Sequence, residues 1–192
     1  LGDSTANSLG WALRGLREPG VAIELRGKDS CTMLWDTCGG ETWRPSIDEV
    51  SPDATLVFVG GAFLHGITAD GRWRQACYPK WDAQFEREMQ KRLTGLGPSA
   101  WVVTVPYPVG PYDSAPWREK VDCINASIHK VAKAIAGLRV LDLAERFCPK
   151  GECEYELAGQ TIRPDGVHYD IEGMRGISPW IMQQIRPPTT DR

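Results

Sequence analysis

The chain has 192 residues, 42% of them hydrophobic and 24% charged, with a net charge of −3. That length suits one domain with a core large enough to fold without a metal or a disulfide. The slightly acidic balance gives no broad basic field for nucleic acid, and no run of about 18 apolar residues is present to span a membrane.

Taken in order, Thr5 to Arg17 is expected to be helical, with Leu9, Ala12, Leu13 and Leu16 on one face and Pro19-Gly20 as its stop. Val21 to Leu25 is a short β-rich run, and Gly27 to Ser51 is irregular. Thr55 to Val59 is a continuous apolar run, as expected of a buried parallel strand. Asp82 to Leu93 has Phe85, Met89 and Leu93 at helical spacing, and Trp101 to Val105 is a second buried strand. The clearest helix runs from Trp117 to Ile135, with Val121, Ile124, Ile128 and Val131 between them on one stripe. Arg139 to Leu143 is a strand, Tyr155 to Ile162 a small hairpin turning at Gly159, and Ile171 to Ile185 a final helix. Residues 1–186 therefore form one domain and 187–192 a loose tail. Alternating strands and helices predict an α/β fold with a parallel sheet, helices on both faces, and a site at the strand C-termini. One element is anomalous: a strand should lead into Gly2-Asp3-Ser4, and almost none of it is present. The chain opens at Leu1 without a methionine, as expected of a mature fragment or an excised domain, so the lack of a signal peptide carries no weight.

The cysteines are Cys31, Cys38, Cys77, Cys123, Cys148 and Cys153. None forms a Cys-x-x-Cys pair and the chain has three histidines, so no zinc site is expected. An even count with two close pairs points to disulfides and an oxidising compartment. Pro149 and Gly151 turn the chain between Cys148 and Cys153, favouring that pair; Cys31 with Cys38 is the next local choice, which leaves Cys77 with Cys123. Six reduced, buried thiols are the alternative. Asn125-Ala-Ser127 matches a glycosylation sequon but lies inside the predicted long helix, and is taken as chance.

Ser4 lies where a strand would hand over to a helix. Asp3 or Ser4 there can be a helix N-cap. The same junction suits a nucleophile, because first-turn N–H groups can stabilise an oxyanion. Such a serine needs a base. His129 falls on the exposed side of the long helix, and His65 follows the strand run VFVGGAF. His168 follows Asp165 by three residues, with Gly166 allowing a tight turn. That turn can bring the carboxylate to Nδ1–H and leave Nε2 for the serine proton.

Gly2-Asp3-Ser4 and Asp165-Gly-Val-His168 resemble the first and last blocks of the SGNH hydrolases, esterases and acyltransferases with a flavodoxin-like three-layer sandwich. The resemblance is closer still to the extracytoplasmic SGNH domains attached to acyltransferase-3-type membrane domains, which O-acetylate cell-envelope glycans. It covers nearly the whole chain, through Gly61-Ala62-Phe63, Asp70-Gly71-Arg72-Trp73, Asp122-Cys123-Ile124-Asn125 and Cys148-Pro149-x-Gly151. It implies Ser4 as nucleophile, His168 as base and Asp165 as its orienting acid. The oxyanion donors would be the backbone N–H groups of Ser4 and Ser30, the latter at the family's usual glycine position with Gly27 as fallback. The family's third-block Asn is missing: Ala62 or Phe63 stands there, and neither donates from its side chain.

The resemblance also implies an extracytoplasmic, membrane-tethered setting, an acyl donor brought by a membrane acyltransferase domain in the same or a neighbouring chain, and a glycan acceptor. No metal or cofactor is needed. A carbohydrate O-acetylesterase is the alternative, as is a non-catalytic glycan-binding or docking domain, which separation of Ser4, His168 and Asp165 would favour. Tryptophans 35, 43 and 73 fall in loops able to line a sugar groove, with core packing as the competing role.

Overall fold

A computed structural model describes residues 1–35, 43–157 and 159–186. In chain order its main elements are α1 (Ser4–Gly15), α2 (Arg44–Val50), β1 (Thr55–Val57), β2 (Ile67–Ala69), β3 (Arg72–Arg74), α3 (Pro79–Leu93), β4 (Ala100–Val103), α4 (Ala115–Ala134), β5 (Arg139–Leu141), α5 (Leu143–Phe147), β6 (Glu156–Leu157), β7 (Gln160–Thr161), α6 (Ile171–Met174) and α7 (Ser178–Ile185). Strands β1, β4 and β5 form a parallel sheet in that order, with Thr55 opposite Ala100 and Trp101 opposite Arg139. The fold is the expected α/β sandwich with a parallel sheet.

The strand that looked missing is a three-residue stretch. Gly2 makes parallel bridges to Phe58 on one side and Gly27 on the other. Phe58 N–H donates to Leu1 O at 2.9 Å, and Lys28 N–H donates to Gly2 O at 2.9 Å. Leu1–Asp3 thus lies between β1 and the Gly27 stretch, and extends the sheet beyond β1. Val21–Leu25 is not a strand. The Leu1–Asp3 stretch pairs with Gly27 and Lys28 instead, and Val21, Ala22 and Glu24 stay exposed.

Helical periodicity translates directly into burial. In α3, Trp81, Phe85, Met89 and Leu93 are all buried, and the Trp81 and Phe85 rings stack at 5.0 Å. In α4, Val121, Ile124, Ile128 and Val131 are buried, with Trp117 half-buried one turn earlier. These two helices pack on each other, as α1 does on α6.

Three expectations change. The stretch taken as irregular contains α2, which starts on Arg44-Pro45, has no buried residue and therefore no apolar stripe to betray it. Asp142 ends the β5 run and caps α5 by accepting the Glu145 N–H. The last helix is two helices: α6 ends at Met174 and α7 begins at Ser178 with Pro179 in its first turn. Proline has no N–H to continue the ladder, so the break falls before it.

Disulfides join Cys77 to Cys123 and Cys148 to Cys153. They fit an oxidising, extracytoplasmic compartment. Cys38 and the tail 187–192 lie outside the described residues, and with them the Cys31–Cys38 pairing. Among the described residues no helix is long and apolar enough to cross a membrane, and no cluster of His, Cys, Asp or Glu could hold a metal ion. The sequon Asn125 spends its side chain on the fold: its amide exchanges two 2.8 Å hydrogen bonds with the backbone of Val105.

Candidate active site

Asp3, not Ser4, is the cap of α1. Its buried carboxylate accepts the Thr5 N–H and the Gly61 N–H, both at 2.9 Å, and the Thr5 hydroxyl. Thr5 Oγ1 in turn accepts the Gly60 N–H at 2.9 Å. Burial raises the Asp3 pKa, and the hydrogen bonds from Thr5 and Gly61 offset part of that. With the capping done by its neighbour, the Ser4 hydroxyl is free of the helix end. It meets His168 Nε2 at 2.8 Å.

His168 stands on the turn after β7. Asp165 Oδ2 lies 2.6 Å from His168 Nδ1, while its Oδ1 accepts the backbone N–H groups of Val167 (2.8 Å) and His168 (2.7 Å). Burial alone would raise the Asp165 pKa; the hydrogen bonds from the His168 ring and from the two N–H groups outweigh it and hold it below the ordinary value. An ionised Asp165 fixes the proton on Nδ1, and Nε2 then accepts from Ser4.

Gly166 makes the turn possible. Its φ is +87°, and a Cβ there would stand 2.2 Å from Val109 O. The backbone after His168 is also tethered to α1, because Ser8 Oγ accepts the Tyr169 N–H at 3.1 Å and donates to Thr5 O at 2.9 Å. Behind it, Tyr169 is buried against Phe58 and Phe147. Sequence reasoning missed Ser8; its spacing of one helical turn from Ser4 was the available signal.

It also missed Arg163, two residues before Asp165. This side chain is buried over the Phe147 ring, 6.0 Å from its centre, and its Nε and Nη2 have no hydrogen-bond partner among the described residues.

Ser4 N–H is one of the first-turn amides that have no intrahelical acceptor. Ser30 is exposed at φ 57°, in the turn closed by Cys31 N–H to Lys28 O, just past the Gly27 bridge. Ala62 and Phe63, at the place of the missing Asn, are buried in a single 3-10 turn. The N–H groups of Gly60 and Gly61 before them are taken by Thr5 and Asp3. His65 follows this turn and lines a narrow cleft with Asp3, Cys31, Thr32 and Ala62. Burial lowers its pKa, against the opposing charge of Asp3. His129 is exposed on α4. Trp43 is buried and Trp73 exposed; the side chain of Trp35 is not among those described.

The architecture is an α/β sandwich with a parallel sheet and Ser4 at the start of α1, beyond the sheet. The chain is similar to the lipase/acylhydrolase from Enterococcus faecalis, with a TM-score of 0.58 and 18% identity over 96% of this chain and 92% of that one. No family model matches the sequence, and no curated protein matches it.

Proposed function

We propose that this domain is a serine acyl-transfer enzyme that moves an acyl group, most simply acetyl, to a hydroxyl of a cell-envelope glycan. The observation that carries the reading is the hydrogen-bonded line from Ser4 through His168 to Asp165. Ser4 Oγ attacks the acyl carbonyl as His168 Nε2 takes its proton. The N–H groups of Ser4 and Ser30 stabilise the oxyanion. The leaving group takes the proton from Nε2, and the acyl group remains on Ser4. Nε2 then deprotonates the acceptor hydroxyl, whose oxygen attacks the acyl-serine and returns Ser4 to its hydroxyl form. A membrane acyltransferase domain, in the same or a neighbouring chain, delivers the donor.

Water as the acceptor gives the second reading, a carbohydrate O-acetylesterase, favoured by the likeness to a lipase/acylhydrolase. A docking domain with no chemistry is disfavoured by the contact of all three residues. The test is turnover of a chromogenic acetyl ester by the domain and by Ser4→Ala. Turnover that falls at least about a thousandfold in the variant supports the reading; equal turnover by both, or none by either, contradicts it. Adding glycans to the same assay separates transfer from hydrolysis.

A further inference from the structure

We propose that Arg163 is a positioning residue for the Asp165–His168 pair: its buried guanidinium is a fixed counter-charge under the turn and sets how readily the His168 ring takes a proton. The inference rests on the serine-enzyme reading above and deepens it. Residues 163–169 form a loop with a narrow base. Asp170 N–H donates to Ile162 O, and Gly166 N–H donates to Arg163 O, both at 2.9 Å. The second bond closes a four-residue turn with Pro164 and Asp165 at its corners. Arg163 and Tyr169 are the first residues inside the base, one on each limb, and both are buried. Phe147 serves both: its ring stacks on Tyr169 at 5.8 Å and lies under the Arg163 guanidinium at 6.0 Å. These two side chains are the feet of the loop, and Asp165 and His168 stand partly exposed above them.

An apolar foot would anchor the loop as well as Tyr169 does. An arginine there is costly, because a guanidinium cannot shed its charge on burial. Arg163 is 2% exposed, and its Nε and Nη2 have no hydrogen-bond partner among the described residues. The face of the Phe147 ring offsets part of that cost. Burial lowers the Arg163 pKa, and Tyr169 and Asp165 oppose the shift. Burial also pushes the Tyr169 pKa up, which keeps its hydroxyl neutral and leaves the Asp165 carboxylate as the counter-charge.

The other charged groups around the loop are engaged elsewhere. Under α1, Asp3 accepts from Thr5 and Gly61. On α6, Asp170 is the cap and Glu172 pairs with Arg175 at 2.9 Å. On α5, Arg146 faces Glu154 at 3.7 Å. The end of β1 offers the Phe58 ring to Tyr169, and Val109 N–H donates to Gly166 O. The charge of Arg163 therefore acts on Asp165 and, through it, on His168. Asp165 must favour a protonated imidazole while Ser4 gives up its proton. The same attraction would also hold the ring protonated before the reaction, when Nε2 has to be free to accept. A positive charge fixed beneath the carboxylate moderates that attraction without drawing Asp165 away from Nδ1.

The experiment is an NMR titration of the His168 ring in the unmodified domain and in Arg163→Lys, Arg163→Met and Arg163→Gln. A spectrum of His168→Gln assigns the ring among the three histidines of the chain. Loss of the charge in the Met and Gln variants should move the His168 midpoint up by about half a pH unit or more. Arg163→Lys keeps the charge and should stay close to the unmodified domain. The ascending limb of kcat/KM for the acetyl ester should move in the same direction. Thermal melts check that each variant is folded. A midpoint unmoved in Met and Gln, or moved as far in Lys as in Met, would overturn the electrostatic role. Loss of the folded state in both neutral variants would overturn it too, by making Arg163 a structural residue. The titration needs no turnover: turnover by the unmodified domain without the shift sinks this inference alone, and the shift without turnover sinks the serine-enzyme reading alone.

Discussion

The proposed nucleophile and its proposed base are held in opposite ways. Ser4 sits on a buried platform: Asp3 and Thr5 bind the Gly60 and Gly61 amides and join the start of α1 to the end of β1. His168 and Asp165 hang on a surface turn, with 41% and 57% of their side chains exposed. The serine's position is thus a property of the core, whereas the imidazole's is set by a local hydrogen-bonded turn and one tether to Ser8. Damage on the first side should reach the fold, and damage on the second should reach catalysis while sparing it.

Asp165→Asn gives the largest effect. It keeps the size of the side chain but mis-sets the imidazole tautomer, so kcat for the acetyl ester should fall on the order of 10² to 10⁴-fold with the melting temperature at neutral pH little changed. Because the Asp165 pKa lies below its ordinary value, its contribution to stability is present above about pH 4 and is lost as pH falls through the lowered value. The variant should lack that acid-limb loss in a stability–pH curve. Unchanged turnover would mean that His168 works without Asp165.

Asp3→Ala acts on the other side and more weakly. It strands the Thr5 and Gly61 amides and should cost about 1–3 kcal/mol in denaturant unfolding. The pH dependence has the opposite sign. The raised Asp3 pKa means that the native protein loses stability as pH rises from about 4 through that raised value, and the variant should lose this slope. A cost near zero would break the contrast between a core-held serine and a turn-held histidine.

The elements legible in the sequence are those whose burial follows a period. Leu9, Ala12 and Leu13 in α1, and the stripes of α3 and α4, announce helices because each buries one face. Helix α2 has no fully buried residue and sets only a half-buried Ile47 against the core, too little to make a stripe. The break between α6 and α7 was hidden by apolar residues that continue on both sides of it, although Gly176 stood in the break and Pro179 in the first turn after it. At the site, Asp165-Gly-Val-His168 was readable because the turn, the carboxylate and the ring are local. Which of Asp3 and Ser4 caps the helix was not, since that depends on Gly61, 58 residues away in sequence from Asp3. The roles of Arg163 and Ser8 are likewise products of tertiary contact.

The central claim is that Ser4 is an activated nucleophile and not an idle helix residue. Its most direct test is intact-mass analysis after treatment with a serine-reactive phosphonate ester, followed by peptide mapping. The account predicts one adduct per chain, located on Ser4 and lost in His168→Ala. No adduct, an adduct on another residue, or labelling of Ser4 that persists without His168 would contradict it.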